Sequence, residues 1–176
     1  MVVTDGDKKQ QLADLYRQAI GPYHDVMEKV MKPGDRQSER VAKSSRYLET
    51  VLERVPVIVV PCHLGSPADM GALLGGLGYP HEITDNLMAS GFYGSIWPAV
   101  WSFMLALRSR GLGSALTTMH LAMEREVGDL LDIPDTVTQI GLVPVAYFTG
   151  ETFKPAARKP AQDVTYWNEW KNKSPD

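Results

Sequence analysis

One cysteine, Cys62, stands alone in 176 residues, so the chain can close no internal disulfide, and this favours a reducing compartment. Basic residues are no more abundant than acidic ones. With 18 Lys plus Arg against 21 Asp plus Glu, the net charge is −3, which excludes a protein that lives on nucleic-acid phosphates. The opening MVVTDGDKKQQ has neither the apolar core nor the small-residue cleavage site of a secretory leader. Long apolar runs are missing too. The strongest, Ile96 to Leu107, is 12 residues long, contains Ser102 and is followed by Arg108 and Arg110, which is too short for a bilayer and reads as a buried helix. These absences leave a cytoplasmic, globular protein with room for a single domain over 1–176, and no membrane or nucleic-acid partner.

Catalytic signatures are equally scarce. The four histidines (His24, His63, His81, His120) are scattered without an HExxH pattern, so no metal site is expected. There is no Walker A loop. Gly113-Ser114 lacks the second glycine of a nucleophile elbow, and Gly75-Gly76-Leu77-Gly78 does not follow a strand as a dinucleotide fingerprint must.

What is present alternates between helix and strand patterns. Val2-Val3 reads as the end of a strand, and Thr4-Asp5-Gly6-Asp7 as an acidic turn capping a helix. Leu12, Leu15, Tyr16, Ala19, Ile20 and Tyr23 form one helical stripe, which Gly21-Pro22 should break or kink near its end. A second helix is predicted from Ser38 to about Arg54. Val55 to Cys62 reads as a strand buried on both faces, and Val137 to Phe148 as a second strong strand. Residues 63 to 94 hold 7 of the 15 glycines and read as a lid or binding loop. A core helix then runs from Tyr93 to Arg110, with Pro98 in its first turn and Gly111 as the left-handed residue that ends it. Leu112 to Thr118 is extended, a further helix covers Leu121 to Leu131, and 149–176 form an extended tail. The class is α+β.

Two segments suit a cofactor held by backbone and a few polar groups. Gly111 to Thr118 sets two glycines and a threonine pair just before a helix, although a C-cap followed by an N-cap accounts for it equally. Ala157-Arg158-Lys159-Pro160 offers a planar cationic fork to a phosphate, or is simply a solvated basic pair.

Together these segments resemble the FMN-dependent nitroreductase family. Ser95 to Ser102 running through Leu107 to Ser114 is similar to the family's long core helix and its Gly-Leu-Gly turn. Val127-x-x-Leu130-Leu131-x-Ile133-Pro134 is similar to the next helix, Ile140 to Tyr147 to the following strand, and Arg158-Lys159-Pro160 to the phosphate-binding arginine motif. Val164 to Trp170 is close to the form seen in actinobacterial members. The resemblance implies an α/β/α sandwich with a mainly antiparallel central sheet around a buried core helix. It also implies a homodimer formed by helix packing and tail exchange, with one FMN in each of two interface clefts. NAD(P)H would reduce the flavin, and a nitroaromatic, quinone or related acceptor would reoxidise it in ping-pong order. The resemblance further implies that Thr117, Thr118 and the backbone at Leu116 hydrogen-bond the flavin, that Arg158 holds its phosphate, and that Phe92 and Tyr93 wall the substrate cleft, unless those two aromatics are core residues. Family members also carry some fifty residues ahead of the position where Val2-Val3-Thr4-Asp5 aligns, including an Arg-x-x-Arg-like motif and an SN-x-Q-x-W segment. On that pattern the chain is N-terminally truncated, and a non-catalytic, flavin-poor dimeric paralogue is the alternative.

Overall fold

The computed structural model describes residues 1–32, 34–149 and 158–174. Strand β1 (Val2–Val3) leads into helix α1 (Gly6–Val30), whose first turn is capped by the Asp5 carboxylate accepting from the Lys8 N–H at 2.9 Å. The helix does not break at Gly21-Pro22 as expected. Pro22 is exposed, so the carbonyl it leaves without a helical partner, that of the equally exposed Gln18, meets water, and α1 continues to Val30. Helix α2 (Arg36–Val51) is capped by Asp35 and ends in a 3-10 turn, Leu52–Arg54.

The strand expected over Val55 to Cys62 is two strands, β2 (Val57–Val59) and β3 (Cys62–Leu64), which belong to different sheets. Pro61 has no N–H to give to a ladder, and the chain changes sheet there while the Pro61 carbonyl accepts from Ile140 N. The expected glycine-rich loop is largely helical. Ser66 and Asp69 form a reciprocal capping box that starts α3 (Pro67–Gly76). Thr84 caps α4 (Asp85–Ser109), which therefore begins well before Tyr93 and carries Pro98 in its interior rather than its first turn. After Gly111 come β4 (Leu112–Ser114), a 3-10 turn Met119–Met123, and α5 (Glu124–Leu131). The strand expected over Val137 to Phe148 is again split, into β5 (Val137–Gln139) and β6 (Val143–Tyr147). In the tail, α6 spans Ala161–Val164.

The main sheet has the order β1-β2-β6-β4 with every pair antiparallel, and β3 pairs with β5 in a second, two-stranded sheet. Strand alternation sends side chains to two faces. Ile58, Val60 and Leu142 pack with Leu12, Ala13, Tyr16 and Ile20 of α1 and with Val127 and Leu131 of α5. Val57, Val59, Val143 and Val145 pack with Ile96, Trp97, Val100, Met104 and Leu107 of α4. The result is the α/β/α sandwich of the α+β class. Within one chain α4 buries only that one stripe. Trp101 and Leu105, expected in the core, are 61% and 52% exposed, because among the described residues no other element covers their side of the helix.

A candidate cofactor cleft between α1, α2 and residues 115–119

The left-handed turn at Gly111 (φ +75°) redirects the chain from α4 into β4, which pairs with β6 as an edge strand. Beyond β4, Ala115 N donates to Pro144 O, Thr117 N to Leu142 O, and Leu142 N to Thr117 O. Alternate residues on an edge face away from the ladder. The N–H groups of Leu116 and Thr118 accordingly have no backbone partner among the described residues. Gly141 lies beneath this segment. A Cβ there would stand 3.0 Å from Leu116 Cδ1 and 3.5 Å from the Thr117 carbonyl, so a side chain would require the Leu116 side chain to shift.

Residues 115–119 form one wall of a cleft of about 730 Å³, within the range of cofactor sites. Helix α1 supplies Tyr16, Tyr23, His24, Met27 and Glu28, Met31 follows as its C-cap, and α2 supplies residues including Val41, Ser45, Arg46 and Leu48. Thr117 is less available than its sequence suggests. Its backbone is committed to Leu142, and its hydroxyl both lies 3.2 Å from the Tyr16 hydroxyl and accepts from Met119 N. Burial raises the pKa of the Tyr16 phenol above its ordinary value.

Of the expected site residues, Leu116, Thr117 and Thr118 come together on this wall. Phe92 and Tyr93 are elsewhere. Phe92 is buried on α4 with its ring 4.1 Å from that of His63, and the half-buried Tyr93 meets it edge-on. Arg158 is exposed on the segment leading into α6 and is not among the lining residues, and its neighbour Ala157 lies outside the described residues. The lining cation is Arg46, which is paired with Glu28.

Sequence reading missed one constellation. His24, 5% exposed, places Nδ1 3.3 Å from Glu49 Oε2 and Nε2 3.0 Å from Ser45 Oγ. Ser45 and Glu49 lie one turn apart on α2, a spacing that puts both side chains on one face. That spacing was the available signal, but nothing local pointed from it to a histidine on α1.

Cys62 is half-buried, and burial raises its thiol pKa, which is unsuited to nucleophilic use. Among the described residues no three His, Cys, Asp or Glu side chains are grouped to hold a metal, and no helix is long and apolar enough to cross a membrane.

A planar ring needs apolar walls along its faces and hydrogen-bond donors at its polar edge. Met27, Met31, Leu48 and Met119 supply the first, and the open N–H groups of Leu116 and Thr118 the second, so the cleft suits the ring portion of a flavin. The sandwich and its interior cleft define a class of flavoprotein-like α/β/α folds. The chain belongs to the Nitroreductase family, whose model matches residues 1–147. Among solved structures it is similar to a BluB-like flavoprotein from Clostridium difficile 630, at 17% identity and TM-score 0.66, covering 96% of this chain and 78% of that one. It is also similar to oxidized iodotyrosine deiodinase bound to FMN and 3-iodo-L-tyrosine, at 20% identity and TM-score 0.63, covering 97% and 75%. A third is NfrA1 nitroreductase from B. subtilis, at 19% identity and TM-score 0.58, where it covers 97% of this chain but only 56% of that one. At these identities the likeness is one of fold. No curated protein matches the chain in sequence.

Proposed function

We propose that the chain is a flavin-dependent oxidoreductase whose cleft between α1, α2 and residues 115–119 receives FMN. The observation that carries this reading is that Leu116 and Thr118, whose N–H groups have no backbone partner among the described residues, line a mainly apolar cleft in a nitroreductase-family fold. FMN, when bound, would supply hydride transfer from NAD(P)H to a small acceptor such as a nitroaromatic or quinone, donor leaving before acceptor enters. The two N–H groups would orient the ring and favour negative charge at its edge. The methionine walls would exclude water, and Arg158 would reach the phosphate as a charge-assisted partner. The exposed Trp101 and Leu105 of α4 would be covered by a second copy of the chain, and the protein would work in the cytoplasm as a homodimer.

A second reading, a dimeric protein that holds no flavin, is favoured by one observation. The lining cation Arg46 is already paired with Glu28, and Arg158 does not line the cleft. Incubation with FMN followed by gel filtration separates the two. Absorbance near 450 nm co-eluting at one FMN per chain, with NAD(P)H-dependent bleaching, supports the oxidoreductase, and FMN eluting free supports the alternative.

A further inference from the structure

The hydroxyls of Tyr16 and Thr117 form a pair with more protons than acceptors. Thr117 Oγ1 accepts from Met119 N at 3.3 Å and lies 3.2 Å from the Tyr16 hydroxyl. A threonine oxygen has one proton to give and two lone pairs to fill. Tyr16 is 1% exposed and has no other polar partner among the described residues, so the acceptor within reach of its proton is Thr117 Oγ1. Burial raises the pKa of the phenol, which keeps that proton in place through the neutral range. With Met119 N and Tyr16 both donating, the lone pairs of Thr117 Oγ1 are filled. Its own proton then has no acceptor among the described residues, and the half-buried Thr117 lines the cleft.

We propose that Tyr16 is a positioning residue that makes the Thr117 hydroxyl a donor-only group on the cleft wall. Thr117 gives its proton in a hydrogen bond to an acceptor atom of the bound flavin ring, a carbonyl oxygen or an unprotonated ring nitrogen. This rests on the reading of the cleft as an FMN site, and adds to it a residue that acts through another.

The opposite direction is the costlier one. If Thr117 donated to Tyr16, the phenol proton would be a buried donor with nothing to accept it, which costs about 1–3 kcal/mol. The direction also sets selectivity. A hydroxyl with an open lone pair takes either a carbonyl or an N–H as its partner. Once both lone pairs are occupied it can only donate, and a ligand N–H placed against it would meet another hydrogen. A hydroxyl that already accepts two bonds is also more polarised and a stronger donor. Because the N–H groups of Leu116 and Thr118 have no backbone partner, each of residues 116–118 has a donor to offer. Such a wall suits a ring edge on which negative charge gathers.

The test begins without cofactor. Hydroxyl-proton NMR of the purified protein should show the Tyr16 hydroxyl proton in slow exchange with water and the Thr117 hydroxyl proton in fast exchange. A slowly exchanging Thr117 proton would reverse the donor and overturn the proposal, and this arm needs no variant to fold. Fluorescence titration with FMN reads the second half. Thr117→Val should raise Kd about tenfold, and Thr117→Ser, which keeps the hydroxyl, by less than about twofold. Tyr16→Phe should raise Kd about threefold, and should add nothing when Thr117 is already valine. Equal losses from Tyr16→Phe in the two backgrounds would make Tyr16 a structural support only and overturn its positioning role. A Kd unmoved by Thr117→Val would overturn the hydrogen bond to the ring. A wild type that binds no FMN would overturn the flavin reading and the acceptor with it, while slow exchange at Tyr16 would leave the donor direction standing.

Discussion

The Tyr16 hydroxyl lies 3.2 Å from the Thr117 hydroxyl across 101 positions of sequence, and this contact ties α1 to the cleft wall. Neither group is spare. Tyr16 is 1% exposed, and Thr117 Oγ1 also accepts from Met119 N. Tyr16→Phe should therefore destabilise the fold by about 0.5–1.5 kcal/mol, the net value of such a bond. Thr117→Val, which strands the Tyr16 hydroxyl and an amide, should cost more than Thr118→Val at the exposed neighbour. Urea titration of the three variants measures the order, and equal midpoints for Thr117→Val and Thr118→Val would refute it.

Gly111 holds φ +75° with open space where a Cβ would project, so the cost of a side chain there is conformational and not steric packing. Gly111→Val should lose more than about 1 kcal/mol, while Ser114→Ala should be nearly silent. Thermal melts with a matched heat-capacity treatment give both values.

His120 is wholly buried with neither ring nitrogen hydrogen-bonded among the described residues, and burial lowers its pKa from 6.5 to about 4. The folded state therefore keeps the ring neutral where the unfolded chain binds a proton. Its stability is whole above pH 6.5 and falls as the pH drops through this window, by about 3 kcal/mol on reaching pH 4. His120→Leu should flatten that part of the profile. Urea midpoints at pH 7 and pH 4.5 provide the comparison, and an unchanged slope in the variant would assign the acid loss to other groups.

The asymmetry within Arg158-Lys159 is a test of the phosphate assignment. Arg158→Ala should weaken FMN binding by about 1.5–3 kcal/mol, the range for a charge-assisted contact, and Lys159→Ala should change it little. Fluorescence titration with FMN reads both, and equal losses would remove the reason for choosing Arg158.

Trp101 and Leu105 lie on the exposed side of α4 and together present a large apolar surface. Trp101→Glu combined with Leu105→Glu should convert a dimer to a monomer in sedimentation while leaving the circular dichroism spectrum unchanged. A wild type that sediments as a monomer would refute the expectation outright.

The parts of this fold legible in the sequence were those set by local chemistry. The Asp5 cap, the Gly111 turn and the α1 stripe from Leu12 to Ile20 each depend on a few neighbouring residues and are where their patterns placed them, while Tyr23 at the end of the stripe is exposed. Residues 63 to 94 misled because glycines were weighed more heavily than caps. Ser66 with Asp69, and Thr84 ahead of Asp85, were the helix-start signals within that stretch. The apolar pattern of α4 identified a helix that must be covered, and could not say whether its own chain covers both sides. Pro61 removes a ladder donor, yet nothing local says that the chain on its far side joins another sheet. In the cleft, the 115–119 wall was visible as a motif. The His24–Ser45–Glu49 group depends on how α1 packs against α2, which no local pattern encodes.

The larger core joins Val3, Leu12 and Tyr16 to Val127, Leu131 and Leu142, so its two halves come from opposite ends of the described domain. On the ribosome this sets a delay. A chain growing at about 5–20 residues per second needs roughly 5–20 s after Tyr16 is made before Thr117 exists to meet it. Throughout that interval the apolar stripe of α1 has none of its partners from the 3-10 turn Met119–Met123 or α5, and β2 has no β6 to pair with. During that interval the nascent chain thus carries an amphipathic helix that Leu52, Ile58 and Val60 can cover only in part. Its yield in a cell should depend on holdase chaperones and on translation speed more steeply than the stability of the finished fold would suggest.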